Sequence, residues 1–204
     1  MVILKVNPQN PQKRIVQKVV EILKEGGVII YPTDTIYGLG CDLYNKEAIK
    51  KIYHIKKANP SKRLSIVCPD LSYISLYAQV TDSAYRLMKR LIPGPYTFIL
   101  EASGLVPKIM LSRQKTIGIR VPDHPIPLMI VKELGNPIIT TSVTRSDQSL
   151  YDDPEELAER FKGEVDLIVD GGKIVPQHSS IIDLTTDPPT VLRVGKGDVS
   201  FLLG

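Results

Sequence analysis

The 204-residue sequence has two cysteines, three histidines and no long apolar run, and each shortage removes a class of function. Cys41 and Cys68 have no paired-ligand spacing and sit in or beside apolar segments. They read as buried free thiols rather than redox or metal-binding groups. His54, His124 and His178 lack the His-x-x-x-His spacing and the acidic partners of a zinc site, so no metal site is expected. No stretch is apolar enough to cross a bilayer, and no charged-then-apolar leader opens the chain. A cytoplasmic protein without a membrane partner is expected. Extreme charge is missing too: 26 Lys and Arg stand against 22 Asp and Glu, for a net charge of +4. That balance suits anionic ligands without requiring a protein that coats nucleic acid.

Three catalytic signatures are also absent. No glycine-rich stretch ends in the Gly-Lys-Ser/Thr of a P-loop, and none has the spaced glycine triplet of a dinucleotide fold. No serine lies in a glycine-flanked nucleophile elbow, so hydrolase chemistry has no support.

What is present centres on residues 26–40. Val28, Ile29, Ile30 and Tyr31 predict a buried strand, and Pro32, which cannot donate to a sheet ladder, ends it. Two hydroxyls, a carboxylate, a phenol and two glycines follow, where α/β sheets commonly place ligands. An ordinary Asp- and Gly-containing turn fits the same residues.

Around this stretch, strands are predicted at 2–6, 64–68, 96–101, 116–121, 137–141, 165–170, 179–183 and 190–194. Helices are predicted from Asn10 to the Gly26-Gly27 stop, from the Asn45 cap through Ile55, and from the Thr81 cap through Leu91. Further helices are expected at 107–111, 125–134 and from Asp153 or Pro154 through Phe161. Met88 is core filler. Interleaved helices and strands give an α/β or tightly mixed α+β class. One domain over residues 1–204 is expected, with a twisted mixed sheet and flanking helices.

Two charged features stay open at this level. Lys56, Lys57, Lys62 and Arg63 cluster at a helix end, where cations suit the helix dipole and also suit an anion site. Arg120 alternates with apolar neighbours in a strand, which fits either an exposed edge or a paired site residue. The loop hydroxyls, loop cations and two strand arginines together suit a polyphosphate and a small zwitterion, with chemistry by positioning and charge stabilisation.

In order along the chain stand Tyr31-Pro32-Thr33-Asp34-Thr35-Ile36-Tyr37-Gly38-Leu39-Gly40, Pro93-Gly94-Pro95-Tyr96-Thr97, Ile117-Gly118-Ile119-Arg120-Val121-Pro122, Thr140-Thr141-Ser142, Ser179-Ser180-Ile181-Ile182-Asp183 and Leu192-Arg193-Val194-Gly195. This series resembles the YrdC-like family of threonylcarbamoyl-adenylate synthases over almost the whole chain. The resemblance implies a twisted open mixed sheet with a large basic cleft. It implies a synthase that condenses L-threonine, bicarbonate and ATP, the latter as its Mg2+ complex, with release of pyrophosphate; the product feeds a tRNA modification. By position, Thr35, Arg120, Thr140 and Ser180 would lie near the threonine, and Lys56, Lys57, Arg63, Thr116, Ser142 and Arg193 would face the nucleotide. No residue is implied as a nucleophile.

The departures lie on the phosphate side. The family's Lys-x-Arg and Ser-x-Asn pairs become Lys56-Lys57-Ala58 and Ser142-Val143-Thr144, and Val67 and Cys68 stand where synthases commonly carry a histidine. Lys57, Lys62 and Arg63 are candidates to replace the lost guanidinium. The chain resembles the YciO branch in these losses, which raises an alternative: a protein that binds double-stranded RNA, tRNA or ribosomal RNA with little or no synthase activity. The extra C-terminal domain of some longer relatives is not expected.

Overall fold

The computed structural model describes residues 1–57, 64–145 and 147–203. Ala58, Lys62 and Arg63, singled out in the sequence, lie outside the described residues.

Ten strands form one mixed sheet: β1 Val2–Lys5, β2 Ile29–Tyr31, β3 Gly38–Gly40, β4 Ser65–Val67, β5 Tyr96–Glu101, β6 Thr116–Arg120, β7 Ile138–Ser142, β8 Leu167–Asp170, β9 Ser180–Asp183 and β10 Thr190–Arg193. Their order across the sheet is β1-β8-β2-β3-β7-β4-β6-β5-β9-β10. Parallel pairs such as β4 with β6 occur beside antiparallel ones such as β4 with β7, giving the mixed class expected from the interleaved pattern.

Among the described residues six α-helices flank the sheet: α1 Lys13–Lys24, α2 Lys46–Ile55, α3 Leu71–Tyr77, α4 Asp82–Leu91, α5 Pro125–Leu134 and α6 Pro154–Arg160. Asn45 and Thr81 cap α2 and α4 through their side chains, as their residue types predict, by accepting from Ala48 N and Ala84 N. The first helix starts later than Asn10. The Asn7 carboxamide captures the backbone amides of Gln9 and Asn10 in a local turn that competes with helix, and α1 begins after Gln12 without a side-chain cap. The predicted helix at 107–111 is a single 3-10 turn, Lys108–Met110.

Two elements were not foreseen. Gly38–Gly40, read as loop, is β3, which pairs antiparallel with β2 and with β7. Its glycines suit the close approach: a Cβ on Gly40 would lie 2.3 Å from Ile139 O. The other is α3, which Asp70 caps by accepting from Tyr73 N at 3.1 Å.

Two cores occupy the opposite faces of the sheet. The larger holds Ile49, Ile52, Ile74, Met88 and Leu157 from α2, α3, α4 and α6 against Ile66, Phe98, Ile119 and Ile139. The smaller packs Val16, Val19 and Leu23 of α1 and Ile126, Ile130 and Val131 of α5 against Ile29, Tyr31, Val67, Ile138 and Leu167. Alternation along a strand decides what happens beyond α5. Ser65 shares the face of Val67, and Thr140 and Ser142 share that of Ile138, so the helix-covered apolar face continues as a polar one. Cys41 and Cys68 are free and buried, and burial pushes both thiols up, which keeps them protonated.

Candidate functional site

That polar continuation is the floor of a small cavity of about 140 Å³, lined by Ser65, Thr97, Arg120, Thr140, Ser179 and Arg193 with Ile36, Thr141 and Ser142. Gly118 sits between them. A Cβ there would lie 2.4 Å from Ser65 Oγ and 3.4 Å from Thr97 Cγ2, so the glycine leaves the floor open.

Arg120 is not an edge residue. It closes β6 with its side chain 6% exposed, and its NH2 donates to Asp34 Oδ1 at 2.8 Å, the carboxylate being 8% exposed. The other Asp34 oxygen accepts from Asp123 N at 3.0 Å, and the Asp34 carbonyl accepts from Lys196 Nζ. Asp34 therefore ties together the β2–β3 loop, the turn after β6 and the turn after β10. Arg120 Nε is buried with no hydrogen-bond partner. An unsatisfied buried donor costs on the order of 1–3 kcal/mol.

Arg193 reaches the same cavity from β10. Its Nε donates to Ser179 O at 2.9 Å and its NH2 to Ser179 Oγ at 3.1 Å. Burial lowers the pKa of both arginines. The Arg120 charge lowers that of Arg193 further, whereas Asp34 offsets the effect at Arg120. Two guanidiniums and one bound carboxylate leave a cavity suited to an anionic group.

A larger cavity of about 440 Å³ begins where β7 ends. Thr140, Thr141 and Ser142 line the small cavity, and Val143, Thr144 and Arg145 line the large one. Its other walls are Lys56 and Lys57 at the end of α2, Arg160 and Phe161 at the end of α6, Tyr151, Gln148, Leu39 and Ile55. Lys56 Nζ donates to Ser142 O at 2.6 Å, which ties α2 to the end of β7.

Of the residues implied by resemblance on the threonine side, Arg120 and Thr140 line the small cavity. Thr35 and Ser180 do not. The Thr35 hydroxyl lies 3.0 Å from Thr33 Oγ1 inside the β2–β3 loop. Ser180 Oγ donates to Gly197 O and accepts from Gly195 N at 2.9 Å, so it holds the turn after β10 while its neighbour Ser179 faces the cavity. Of those on the nucleotide side, Lys56 and Lys57 line the large cavity, and Ser142 and Arg193 the small one. Thr116 opens β6, four residues before Arg120, and lies 2.9 Å from Ser112 Oγ; it is brought to neither cavity. At about 3.3 Å per strand residue, roughly 13 Å separates it from Arg120. Arg63 lies outside the described residues.

Sequence reasoning missed Ser65, Thr97, Ser179, Arg145 and Arg160 as lining residues. Ser65 and Thr97 had a readable signal, a polar residue on one face of an otherwise apolar strand. Arg145 and Arg160 had none that separates them from solvated surface charge.

The sequence model of the family described as "Telomere recombination", which covers Sua5, YciO and YrdC, matches residues 21–195. The chain belongs to the Sua5/YciO/YrdC family. Within this family it is similar to Escherichia coli YciO, whose crystal structure superposes with a TM-score of 0.93 at 42% identity over 98% of each chain. It is also similar to Pyrococcus abyssi Sua5 complexed with L-threonine, with a TM-score of 0.92 at 28% identity, covering 99% of this chain and 60% of that one. The threonylcarbamoyl-AMP synthase of Vibrio vulnificus is 32% identical over 88% of this chain and 97% of its own. The family resemblance read from the motifs and the single mixed domain expected from it are both borne out. The chain is related to threonylcarbamoyl-AMP synthases, and its similarity to YciO is higher. No helix among the described residues is long and apolar enough to cross a membrane.

Proposed function

We propose that the protein is a threonylcarbamoyl-AMP synthase-type enzyme that takes L-threonine in the small cavity and Mg2+-ATP in the large one, with bicarbonate as third substrate. The observation that carries this reading is the path of β7, whose residues 140–142 line an anion-seeking cavity and whose next three residues line a cationic one. The Pyrococcus abyssi relative binds L-threonine, which supports the assignment of the smaller site.

The reaction needs no enzyme nucleophile. The threonine amine adds to the bicarbonate carbon and water leaves, giving a carbamate. A carbamate oxygen then attacks the α-phosphorus of ATP, and the bond to the bridging oxygen breaks with its electron pair on departing pyrophosphate. In this scheme Arg120 and Arg193 hold carboxylate charge, Thr97, Thr140 and Ser179 orient the amino acid, and Lys56 and Lys57 offset phosphate charge. Threonine-dependent pyrophosphate release by the purified protein with ATP, Mg2+ and bicarbonate tests the proposal. Release that does not depend on threonine, or none while a family synthase is active alongside, overturns it.

A second reading rests on a groove of about 360 Å³ lined by Lys51, His54, Lys57, Arg160 and Glu164, which shares Ile55, Lys57 and Arg160 with the large cavity. Such a cationic groove favours binding of double-stranded RNA, tRNA or ribosomal RNA, with little or no catalysis. Under this reading Lys57→Glu with Arg63→Glu weakens RNA binding and flattens its salt dependence. Salt-insensitive binding sinks it.

A further inference from the structure

Position 58, where the synthase signature carries an arginine, is alanine, and the large cavity is lined by guanidiniums from other positions of the chain. Arg145 lines its wall one residue beyond Thr144. The Arg145 plane lies over Tyr151, with Cζ 4.3 Å from the ring centroid. NH1 donates to Leu150 O and, at 3.4 Å, to Ser149 Oγ. Those contacts fix the side chain from one edge and one face. Its other edge, Nε and NH2, is bidentate to Glu156, with Nε 2.9 Å from Oε1.

This second edge is the exchangeable one. The Arg145 side chain is 29% exposed and that of Glu156 45%, so the departing carboxylate returns to water rather than staying buried. An ion pair this open is weakened by solvent and by salt. A polyphosphate held by Lys56 and Lys57 in the same cavity offers the same bidentate geometry with more negative charge. Arg160, the other arginine of the cavity, pairs with Glu164 at the groove side and does not share the loop that leaves β7.

We propose that Arg145 supplies the guanidinium for the ATP polyphosphate in this chain, exchanging Glu156 for phosphate when the nucleotide binds. The proposal rests on the reading of the large cavity as the nucleotide site. It differs from a role for the Arg145–Glu156 pair as a loop clip in the sign of one substitution.

The test is calorimetric titration of the full chain with Mg2+-ATP, run beside threonine-dependent pyrophosphate release, for wild type, Arg145→Ala, Arg145→Lys and Glu156→Gln. Arg145→Ala is expected to weaken ATP binding about tenfold. Arg145→Lys, which keeps the charge and loses the fork, falls between it and wild type. Glu156→Gln removes the bidentate carboxylate, leaving Asp152 Oδ1 3.9 Å from NH2, and tightens ATP about two- to fivefold. Weaker ATP binding by Glu156→Gln overturns the proposal, since a clip loses its hold from either side; this variant keeps the test decisive even if Arg145→Ala does not fold. ATP binding with the expected signs but no threonine-dependent release leaves Arg145 standing and overturns the synthase reading. Release by wild type with unchanged ATP affinity in Arg145→Ala does the reverse, and a wild type that binds no ATP overturns both.

Discussion

The two cavities along β7 are built on different principles. The small one takes its floor from strands: Ser65, Thr97, Arg120 and Thr140 come from β4, β5, β6 and β7, whose registers are locked by ladder hydrogen bonds. Its Arg120–Asp34 pair is sealed from water. The large one takes its cations from helix ends and a loop, and at Arg145 and Arg160 they are held by ion pairs open to solvent. In the first, moving a charge means moving the sheet; in the second, one cation can stand in for another. Thr144, one of the chain's departures from the synthase signature, falls on the second side.

The largest way to break this contrast is Asp34→Ala, which leaves Arg120 buried without its counter-charge. Loss of one partner of such a pair costs about 3–5 kcal/mol, and urea denaturation reads it. Asp34→Ala combined with Arg120→Leu loses much less. Equal losses would mean that Asp34 acts through the Asp123 and Lys196 contacts instead. Next in size, Ala58→Arg with Thr144→Asn rebuilds the phosphate-side signature and, introduced into Arg145→Ala, is expected to raise kcat/KM for threonine-dependent pyrophosphate release about tenfold. Unchanged turnover would count heavily against the enzyme reading. At the groove edge, Arg160→Ala is expected to change stability by less than about 1 kcal/mol in the same denaturation experiment, because its partner Glu164 is exposed.

The smallest expected effect is on pH dependence. Burial lowers the pKa of His124 below its ordinary 6.5, more than the Asp34 and Asp123 charges raise it, and Nδ1 accepts from Ile126 N at the start of α5. The unfolded chain binds the proton more readily, so this contribution to stability is full above pH 6.5 and is lost as the pH falls below it. His178, whose pKa is lowered by burial and by Arg193, acts in the same direction. The melting temperature is expected to fall between pH 7 and pH 5, and less steeply in His124→Asn, which keeps a capping acceptor and removes the titration.

How much was legible in the sequence follows from where each signal is stored. The Asn45 and Thr81 caps, β5 and α5 are local: a capping side chain, an apolar alternation or a Pro start decides them within a few residues. Arg120 is the opposite case, since its strand pattern fits an edge as well as a site and the partner that settles it, Asp34, lies 86 residues away. At Ser179 and Ser180 a one-residue choice of register exchanges the cavity for the turn, and adjacent serines carry no mark of which is which. The short helix α3 has a cap but too few turns for its apolar period to show. In β3, glycines that usually mark a turn instead let backbones close up. Arg145 and Arg160 carry no local mark in the sequence, and the rings of Tyr151 and Phe161 beneath them are contacts made by the fold.

One contact bears on how such a chain changes over time. Lys56 reaches across to β7 and donates to the carbonyl of Ser142, a group every residue type possesses. Mutation at position 142 or beyond leaves that acceptor in place, so the tie between the end of α2 and the end of β7 depends on the Lys56 side chain alone. Drift in the neighbouring signature can then proceed without the two cavities parting company. A lineage can lose the letters of a motif while retaining the platform on which its chemistry, or a successor to it, is assembled.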